Sequence, residues 1–349
     1  MSAGHYRLAF AIACVLASGS ALGQRKPTTV SASTEAFAEQ LAGEYASQQM
    51  ARLAKLDDRD SLIAAALIGT PNVTEPEPEG HDEVLQSLVT KFPTDPLALY
   101  AAALVCHIQA HVCKTPEFQA QLIEVEPDNA LNYLLTPNGR QPNLEQLGKA
   151  AGAAHADSHF SALLGIVRSA LAGQAAPAVE HRKVNEQQLA LQLRRNEVGY
   201  VPWPRIGPTM GLCNADVATR SDQAPLQSQC AKLGGLLFND QGNNLVTKMF
   251  GVTLLRRFAK GSPAAAEALE LRRQYVWLSE LPDETSPAEL ERLQDEEVAF
   301  GEWEAFQRHA ERKGVTRIPP ADWVPLNPEF ILLSEERTPK PATPAIKTP

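Results

Sequence analysis

The sequence has few aromatic residues, and it lacks a long apolar run after its first residues. Aromatic side chains make up 6% of the 349 residues, whereas apolar residues as a whole make up 44%. No stretch of about 18 uncharged apolar residues follows the N-terminus, although a transmembrane helix needs that length. The composition therefore excludes a multi-span membrane protein and predicts a soluble globular chain without a membrane span.

An excess of positive charge is also missing. The chain has 32 Lys and Arg against 41 Asp and Glu, which gives a formal net charge of −9. Such a chain repels phosphate backbones, so we expect no nucleic-acid partner. The densest basic groups are three arginine doublets, which we expect to be solvated helix faces: Arg194-Arg195, Arg256-Arg257 and Arg272-Arg273.

Short catalytic and cofactor-binding motifs are absent. The chain has no Gly-x-Ser-x-Gly, no His-Glu-x-x-His, no glycine-rich phosphate loop and no EF-hand loop. We therefore expect no cofactor, and the pattern favours a protein that is not an enzyme. A catalytic pair of carboxylates from separate helices would leave no linear pattern, so an enzyme stays open as an alternative.

Residues 1–23 have the pattern of a secretory signal peptide. A basic residue precedes an apolar run over residues 8–17, and Ala21 and Gly23 are small residues of the kind that a signal peptidase requires. We predict cleavage after Gly23 and a periplasmic or secreted protein. Processing as a lipoprotein at Cys14 is the alternative.

The cysteines support this compartment. Four remain after the signal, and an even number in an oxidising compartment predicts two disulfides. The connectivity with the shortest loops pairs Cys106 with Cys113 and Cys213 with Cys230. The first bond requires the helix that starts at Asp95 to end before Cys113. In a continuous helix the two cysteines would stand about 10.5 Å apart, beyond the limit of roughly 7 Å between bridged Cα atoms.

Prolines mark the boundaries of helices. The 26 prolines divide the chain into intervals of helical length, and four intervals begin with a side-chain acceptor followed by proline: Asp95-Pro96, Thr115-Pro116, Ser262-Pro263 and Ser286-Pro287. Apolar residues recur at helical spacing within these intervals, and no pair of alternating β-branched runs is joined by Asn-Gly or Asp-Gly. The sequence predicts an all-α fold.

A weak internal repeat is present in the first half of the chain. Residues 92–100 return 33 positions later as residues 125–133, each copy with an Asp and a final tyrosine, Tyr100 or Tyr133. The second copy, 127–133, resembles the boundary between consecutive tetratricopeptide repeats, whose period is about 34 residues. The whole layout also resembles uncharacterised exported bacterial proteins with tetratricopeptide-like helices. The resemblance implies stacked helix pairs, with both tyrosines in equivalent places, and no activity.

These patterns predict five segments. They are a signal peptide (1–23), a linker (24–33), a tetratricopeptide-like helical region (34–175), a second helical region (176–313) packed with the first, and a proline-rich tail (314–349). Within the tail we expect only residues 323–333 to pack on the rest of the protein.

Two histidine pairs are candidate metal ligands. His107 and His111 lie beside Cys106 and Cys113, and His155 and His159 would share one face of a helix. We favour surface histidines next to a disulfide in the first case and solvated histidines in the second, so we expect no metal.

An unusual loop follows residue 199. Residues 200–208 combine three prolines with Tyr200, Trp203 and Arg205. Tyrosine, tryptophan and arginine often anchor interfaces, so Trp203 and Arg205 join Tyr100 and Tyr133 as candidate binding residues. The alternative is a rigid crossover between helical regions with Trp203 buried.

The sequence therefore predicts an exported α-helical protein-binding or scaffold module of the cell envelope, with a protein or peptide as its partner. The alternative is an envelope hydrolase or metal-binding protein whose site is assembled from separate helices. A cluster of groups with shifted pKa values inside a cleft would favour the alternative, and a groove without such groups would favour binding.

Overall fold

The computed structural model describes residues 32–70, 79–109, 117–174, 199–280 and 286–337. These residues are mainly helical and form no β-strand, so the all-α prediction is confirmed. A single isolated bridge joins Asn129 and His155 in the described ranges. None of the described helices combines the length and the hydropathy that crossing a membrane requires. The signal peptide and the start of the predicted linker lie outside the described residues.

The described α-helices fall into two sets. The first set is α1 (Ala32–Leu53), α2 (Arg59–Ile68), α3 (His81–Lys91), α4 (Pro96–Ile108), α5 (Glu117–Val125), α6 (Ala130–Leu134), α7 (Leu144–Gly152) and α8 (Phe160–Leu171). The second set is α9 (Gly207–Leu212), α10 (Ala215–Thr219), α11 (Ala224–Phe238), α12 (Leu245–Phe258), α13 (Pro263–Ser279), α14 (Pro287–Phe300) and α15 (Glu302–Arg312).

Capping side chains start the helices where the sequence predicts. Asp95 accepts a hydrogen bond from the Ala98 amide at 2.9 Å, with Pro96 in the first turn of α4. Ser262 and Ser286 cap α13 and α14 in the same way. Each cap satisfies an amide at a helix start that has no intrahelical partner. Thr115-Pro116 lies outside the described residues.

One hydrophobic core joins the two sets of helices. The larger cluster of buried apolar side chains extends from Ala42 to Leu254, so the boundary predicted at residue 176 does not separate two cores. Helix α7 packs on α11, and α8 packs on α14. Helices α11 and α12 approach closely because Gly251 has no side chain. A Cβ atom there would lie 2.2 Å from the amide nitrogen of Phe238.

A disulfide links α9 to α11. Cys213, at the C-terminal end of α9, is bonded to Cys230, as predicted. Cys106 is disulfide-bonded as well, but Cys113 lies outside the described residues, so this pairing stays a prediction. Helix α4 ends at Ile108, which satisfies the condition that it end before Cys113.

The expectation of equivalent tyrosines is wrong. Helix α4, which contains Tyr100, has 13 residues, whereas α6, which contains Tyr133, has 5. The Tyr100 ring packs against His159, while the Tyr133 hydroxyl donates to the Pro127 carbonyl at 2.9 Å. The similarity between the two segments therefore covers their helix starts and not their packing.

The second set of helices corrects two further expectations. The side chains of Arg256 and Arg257 are each 9% exposed and Arg272 is 5% exposed, so they are not solvated. The tail crosses α12 and α13 and covers these arginines. Its contacts continue beyond residue 333, the predicted limit of packing, to Glu335 and Glu336. Arg194-Arg195 lies outside the described residues.

Candidate functional site

Two cavities of similar volume on the described surface are candidate binding sites. The first, of about 380 Å³, lies between α2 and α8 and is lined mainly by small side chains: Asp60, Ser61, Ala162, Gly165, Ile166, Ser169 and Ala170. The second, of about 370 Å³, is called the aromatic groove below and is formed by Trp277, Glu280, Val315, Trp323, Val324 and Leu326. Large aromatic and aliphatic side chains make the second cavity the better candidate for a binding site.

Two tryptophans form the floor of the aromatic groove. Trp277 lies in the last turn of α13 and donates its indole N–H to the Thr316 carbonyl at 2.8 Å. The ring of Trp323 meets it edge to face, with 5.5 Å between ring centroids. The edge-to-face arrangement suits the charge distribution of two aromatic rings and holds both in place.

A carboxylate fixes the other wall of the groove. Glu280, just after α13, accepts from the Trp323 indole N–H at 3.3 Å and from the Leu326 amide at 2.6 Å. These bonds hold residues 323–326 across the end of α13. The backbone of this segment is therefore fixed. The side chains of Val324 and Leu326 nevertheless stay exposed to solvent at the groove.

The groove lies in the most apolar part of the described surface. Among the exposed large hydrophobic residues, the three with the highest exposure are Leu326 at 87%, Val324 at 72% and Ile318 at 64%. Single exposed hydrophobic residues are common, but Val324 and Leu326 line the groove together with two tryptophans and form an apolar patch there. Such patches mark interaction sites on soluble proteins.

A second group of polar residues lies where the two sets of helices meet. This polar junction consists of Glu126, Asn129, Asn132, Asp157, Ser158, His159, Asp240 and Asn244. The Asn129 side chain donates to Glu126 at 3.1 Å and to the Asp157 carbonyl at 2.9 Å, and it accepts from the Asp157 amide at 2.9 Å. Asn129 is fully buried, so it connects the turn after α5 with the loop before α8.

His159 lies between two carboxylates of the polar junction. Its Nε2 is 3.3 Å from Glu126 and its Nδ1 is 3.4 Å from Asp157. Burial disfavours the charged imidazole, but the hydrogen bond to Glu126 and the negative charges of both carboxylates outweigh it and raise the pKa of His159. Burial also opposes ionisation of Glu126, yet bonds from His159 and Asn132 lower its pKa to about 2.

Asp240 links the polar junction to the second set of helices. Its carboxylate accepts from the Ser158 amide at 2.8 Å, from the Ser158 hydroxyl at 2.7 Å and from the Asn244 amide at 2.8 Å. Burial raises the pKa of Asp240, and these hydrogen bonds oppose the rise. The carboxylates are thus engaged by neighbouring protein groups, which is typical of a structural contact.

The structure does not support the alternative of a metal site at His155 and His159. Both residues lie in the loop between α7 and α8, so they do not share a helical face. Both ring nitrogens of His159 face carboxylate oxygens of the polar junction, at 3.3 and 3.4 Å, so they are engaged within the protein. The described part of the chain contains no group of three His, Cys, Asp or Glu that could hold a metal ion.

His107 is buried rather than a surface residue or a metal ligand. It is 1% exposed; its Nδ1–H donates to the Thr136 carbonyl at 2.7 Å, and its Nε2 accepts from the Arg205 amide at 2.8 Å. Burial lowers the pKa of His107, which favours this neutral form. His111 lies outside the described residues.

The predicted binding residues do not form one site. Tyr100 is fully buried and Tyr133 is 9% exposed, so both belong to the core and neither presents a surface to a partner. Trp203 is half-buried and Arg205 is exposed. The hydrogen bond from the Arg205 amide to His107 attaches their loop to α4, as the alternative of a rigid crossover requires.

Sequence reasoning missed Trp277 and Trp323. The pattern that could have indicated Trp323 as a site residue is its place within a proline-rich segment, residues 318–328, which was assigned to the tail. Comparison of the chain with protein-family models, with curated proteins and with solved structures finds no match.

Proposed function

We propose that the chain is an exported, α-helical protein-binding module that holds an extended peptide segment in the aromatic groove. The observation that carries this proposal is the exposed apolar patch around Trp277 and Trp323, with Leu326 87% exposed at its edge. Grooves lined by aromatic rings commonly hold extended, proline-rich segments, whose backbone is already ordered before binding.

The charge of the chain favours a basic partner. The net charge is −9, and the carboxylate of Glu280 lies at the wall of the groove. A cationic residue next to an apolar one would therefore be attracted to the groove, both over a distance and in contact. The proposed occupant is an extended segment that combines leucine or proline with arginine or lysine.

The alternative function, an envelope hydrolase or a metal-binding protein, has less support. Glu126, His159, Asp240 and Tyr100 have shifted pKa values, but they line neither of the two cavities. Catalysis requires shifted groups that can reach a substrate. The charged groups of the polar junction form hydrogen bonds within the junction instead of facing a cavity.

The disulfide supports an exported location. The bond between Cys213 and Cys230 would persist in an oxidising compartment and would be reduced in most cytosols. This agrees with the signal-peptide pattern at the N-terminus.

The groove is tested by peptide binding to the full chain. The probe is a fluorescein-labelled peptide of about ten residues that alternates leucine and proline and ends in arginine on both sides. We expect the double variant Val324→Ser, Leu326→Ser to bind at least about tenfold more weakly than the wild type, measured by fluorescence anisotropy.

The matched control is Leu144→Ser. Leu144 is 58% exposed on α7, away from the groove lining, so its loss should leave binding unchanged. Both variants change exposed side chains, and circular dichroism should show the wild-type fold. Equal affinity of wild type and double variant, or equal weakening by the control, would contradict the proposal.

A further inference from the structure

The last described residues form a strap across the second set of helices. The strap is defined as residues 328–337, and it contains two short 3-10 turns, Pro328–Phe330 and Ser334–Glu336. Phe330 and Ile331 pack against the apolar cluster around Met249 and Tyr275. Leu333 is its only buried residue.

Arg256 and Arg257, at the end of α12, bind the acidic end of the strap. Arg257 forms a two-pronged ion pair with Glu335, with distances of 2.6 and 2.8 Å. Arg256 donates to Glu336 at 2.9 Å and to the Ile331 carbonyl. A further bond from Arg257 to the Cys213 carbonyl, 2.9 Å long, orients the guanidinium. Two-pronged pairing of arginine with carboxylate is both strong and geometrically selective.

Arg272, on α13, binds the apolar end of the strap. Its Nε donates to the Phe330 carbonyl at 2.7 Å, and its guanidinium lies 5.6 Å from the centre of the Tyr275 ring. Burial lowers the pKa of Arg272 to about 10, so it stays charged at neutral pH. A buried cation without a partner is costly, and the strap supplies an acceptor.

The strap contacts the protein as a bound peptide does. Its backbone–backbone hydrogen bonds are all local, between residues 327 and 337 of the described chain. Apart from the bonds to the adjoining Asn327, Arg256, Arg257 and Arg272 donate all the hydrogen bonds that join the strap to the rest of the described residues. The strap holds three Glu and one Arg and so carries two net negative charges against three arginines. Acidic segments are commonly recognised by such arginine clusters.

We infer that Arg256, Arg257 and Arg272 form a second peptide-binding site, which takes an acidic partner segment with apolar residues followed by two adjacent carboxylates. The strap occupies this site within the same chain and competes with the partner. A tethered segment has an effective concentration of the order of millimolar, so the site is closed until a tighter segment displaces the strap. This site is separate from the aromatic groove.

The test uses the full chain with Glu335→Gln and Glu336→Gln, called the open variant. The probe is a fluorescein-labelled peptide with the sequence of residues 328–337. We expect it to bind the open variant about tenfold more tightly than the wild type, because the weakened strap competes less. Adding Arg257→Met to the open variant should reverse this gain, whereas adding Arg308→Met, an arginine on α15, should not.

A second measurement needs no variant. An excess of unlabelled probe peptide should increase hydrogen exchange at the amides of Phe330, Ile331, Glu336 and Arg337 in the wild type, because the strap is displaced. A peptide in which the glutamates at positions 335 and 336 are replaced by glutamine should do so at least about tenfold less effectively.

Three outcomes would overturn the inference. One is equal binding of the probe to wild type and open variant, and another is equal potency of the glutamine peptide. The third is a dimer formed by exchange of straps between two copies, seen as a doubled mass in solution, because the site would then serve self-assembly and not a separate acidic partner.

Discussion

The first set of helices and the end of the second set are held together by different forces. Helices α2 and α4 are almost entirely buried, and their contacts are made by alanine, leucine and isoleucine. Helices α14 and α15 and the strap have far fewer buried apolar residues and depend on arginine–carboxylate pairs. Burial of apolar surface does not depend on salt, whereas exposed ion pairs are screened by it.

This difference separates stability from recognition. The side chains of a close-packed apolar core fit together in one way, so a core residue cannot exchange its neighbours for others. An arginine that pairs with a partly exposed carboxylate, as Arg256 and Arg257 do, can pair with another carboxylate in its place. Of the two proposed binding surfaces, the arginine site follows this distinction, whereas the aromatic groove is lined mainly by apolar side chains. The predictions below test whether the two parts differ in this way.

The largest effect is expected in the first set of helices. Leu99 on α4 is fully buried, so Leu99→Ala should lower the free energy of unfolding by about 4 kcal/mol through lost burial and a residual cavity. Urea unfolding should give the same loss at low and high salt. Leu144→Ala, at an exposed position, is the control and should cost less than about 0.5 kcal/mol. A loss that changes strongly with salt would break the comparison.

Removal of the disulfide should have the next largest effect. The double variant Cys213→Ala, Cys230→Ala opens a loop with a sequence separation of 17, and the chain-constraint model gives a loss of about 3 kcal/mol. Hydrogen exchange should increase more in α9 and α10 than in α2 and α4. Unchanged stability, or an equal increase of hydrogen exchange in both pairs of helices, would show that the disulfide does not stabilise α9 and α10 in particular.

The polar junction should make stability depend on pH. The pKa of Glu126 is lowered to about 2 from its usual 4.5, so its contribution is complete above pH 4.5 and is lost as the pH falls towards 2. Between pH 5 and pH 2 the wild type should lose free energy of unfolding, and Glu126→Gln should lose about 2 kcal/mol less. This figure is reduced for solvent screening, because Glu126 is only partly buried. Glu124→Gln, at an exposed position on α5, should behave as the wild type.

His159 should make stability depend on pH in the opposite direction, at higher pH values. Because its pKa is raised, its contribution is complete below pH 6.5 and disappears as the pH rises through the pKa of the folded state. The wild type should therefore lose stability between pH 6 and pH 9, and His159→Asn should lose less. Parallel curves for the two proteins would mean that the imidazole carries no charge in the folded chain.

The smallest effect is expected for the two ion pairs of Arg317, which follows α15. Arg317 contacts Glu304 at 2.8 Å and Glu311 at 2.6 Å, with a third of its side chain exposed. Arg317→Gln should cost about 0.5 kcal/mol at low salt and less than half of that in about 1 M NaCl. A cost that salt leaves unchanged would remove the contrast with Leu99→Ala.

Sequence reasoning succeeded where neighbours in the chain decide the structure. The starts of α4, α13 and α14 follow from a capping residue next to a proline, and the Cys213–Cys230 bond belongs to the connectivity with the shortest loops. It failed where distant segments meet. Nothing near Arg256 indicates that residues 331 and 336 will cover it, and nothing near His107 indicates the bond from the Arg205 amide.

The sequence by itself determined the fold class, the starts of α4, α13 and α14 and one disulfide of this protein, because caps, prolines and short loops act over a few residues. The tertiary structure alone decided which tyrosines, histidines and arginines are buried and where an apolar groove stays open. Burial depends on what covers a residue, and that neighbour lies 98 residues away for His107 and 80 for Arg256. Local patterns carry no information over such separations, so the aromatic groove and the strap became visible only once the helices were packed.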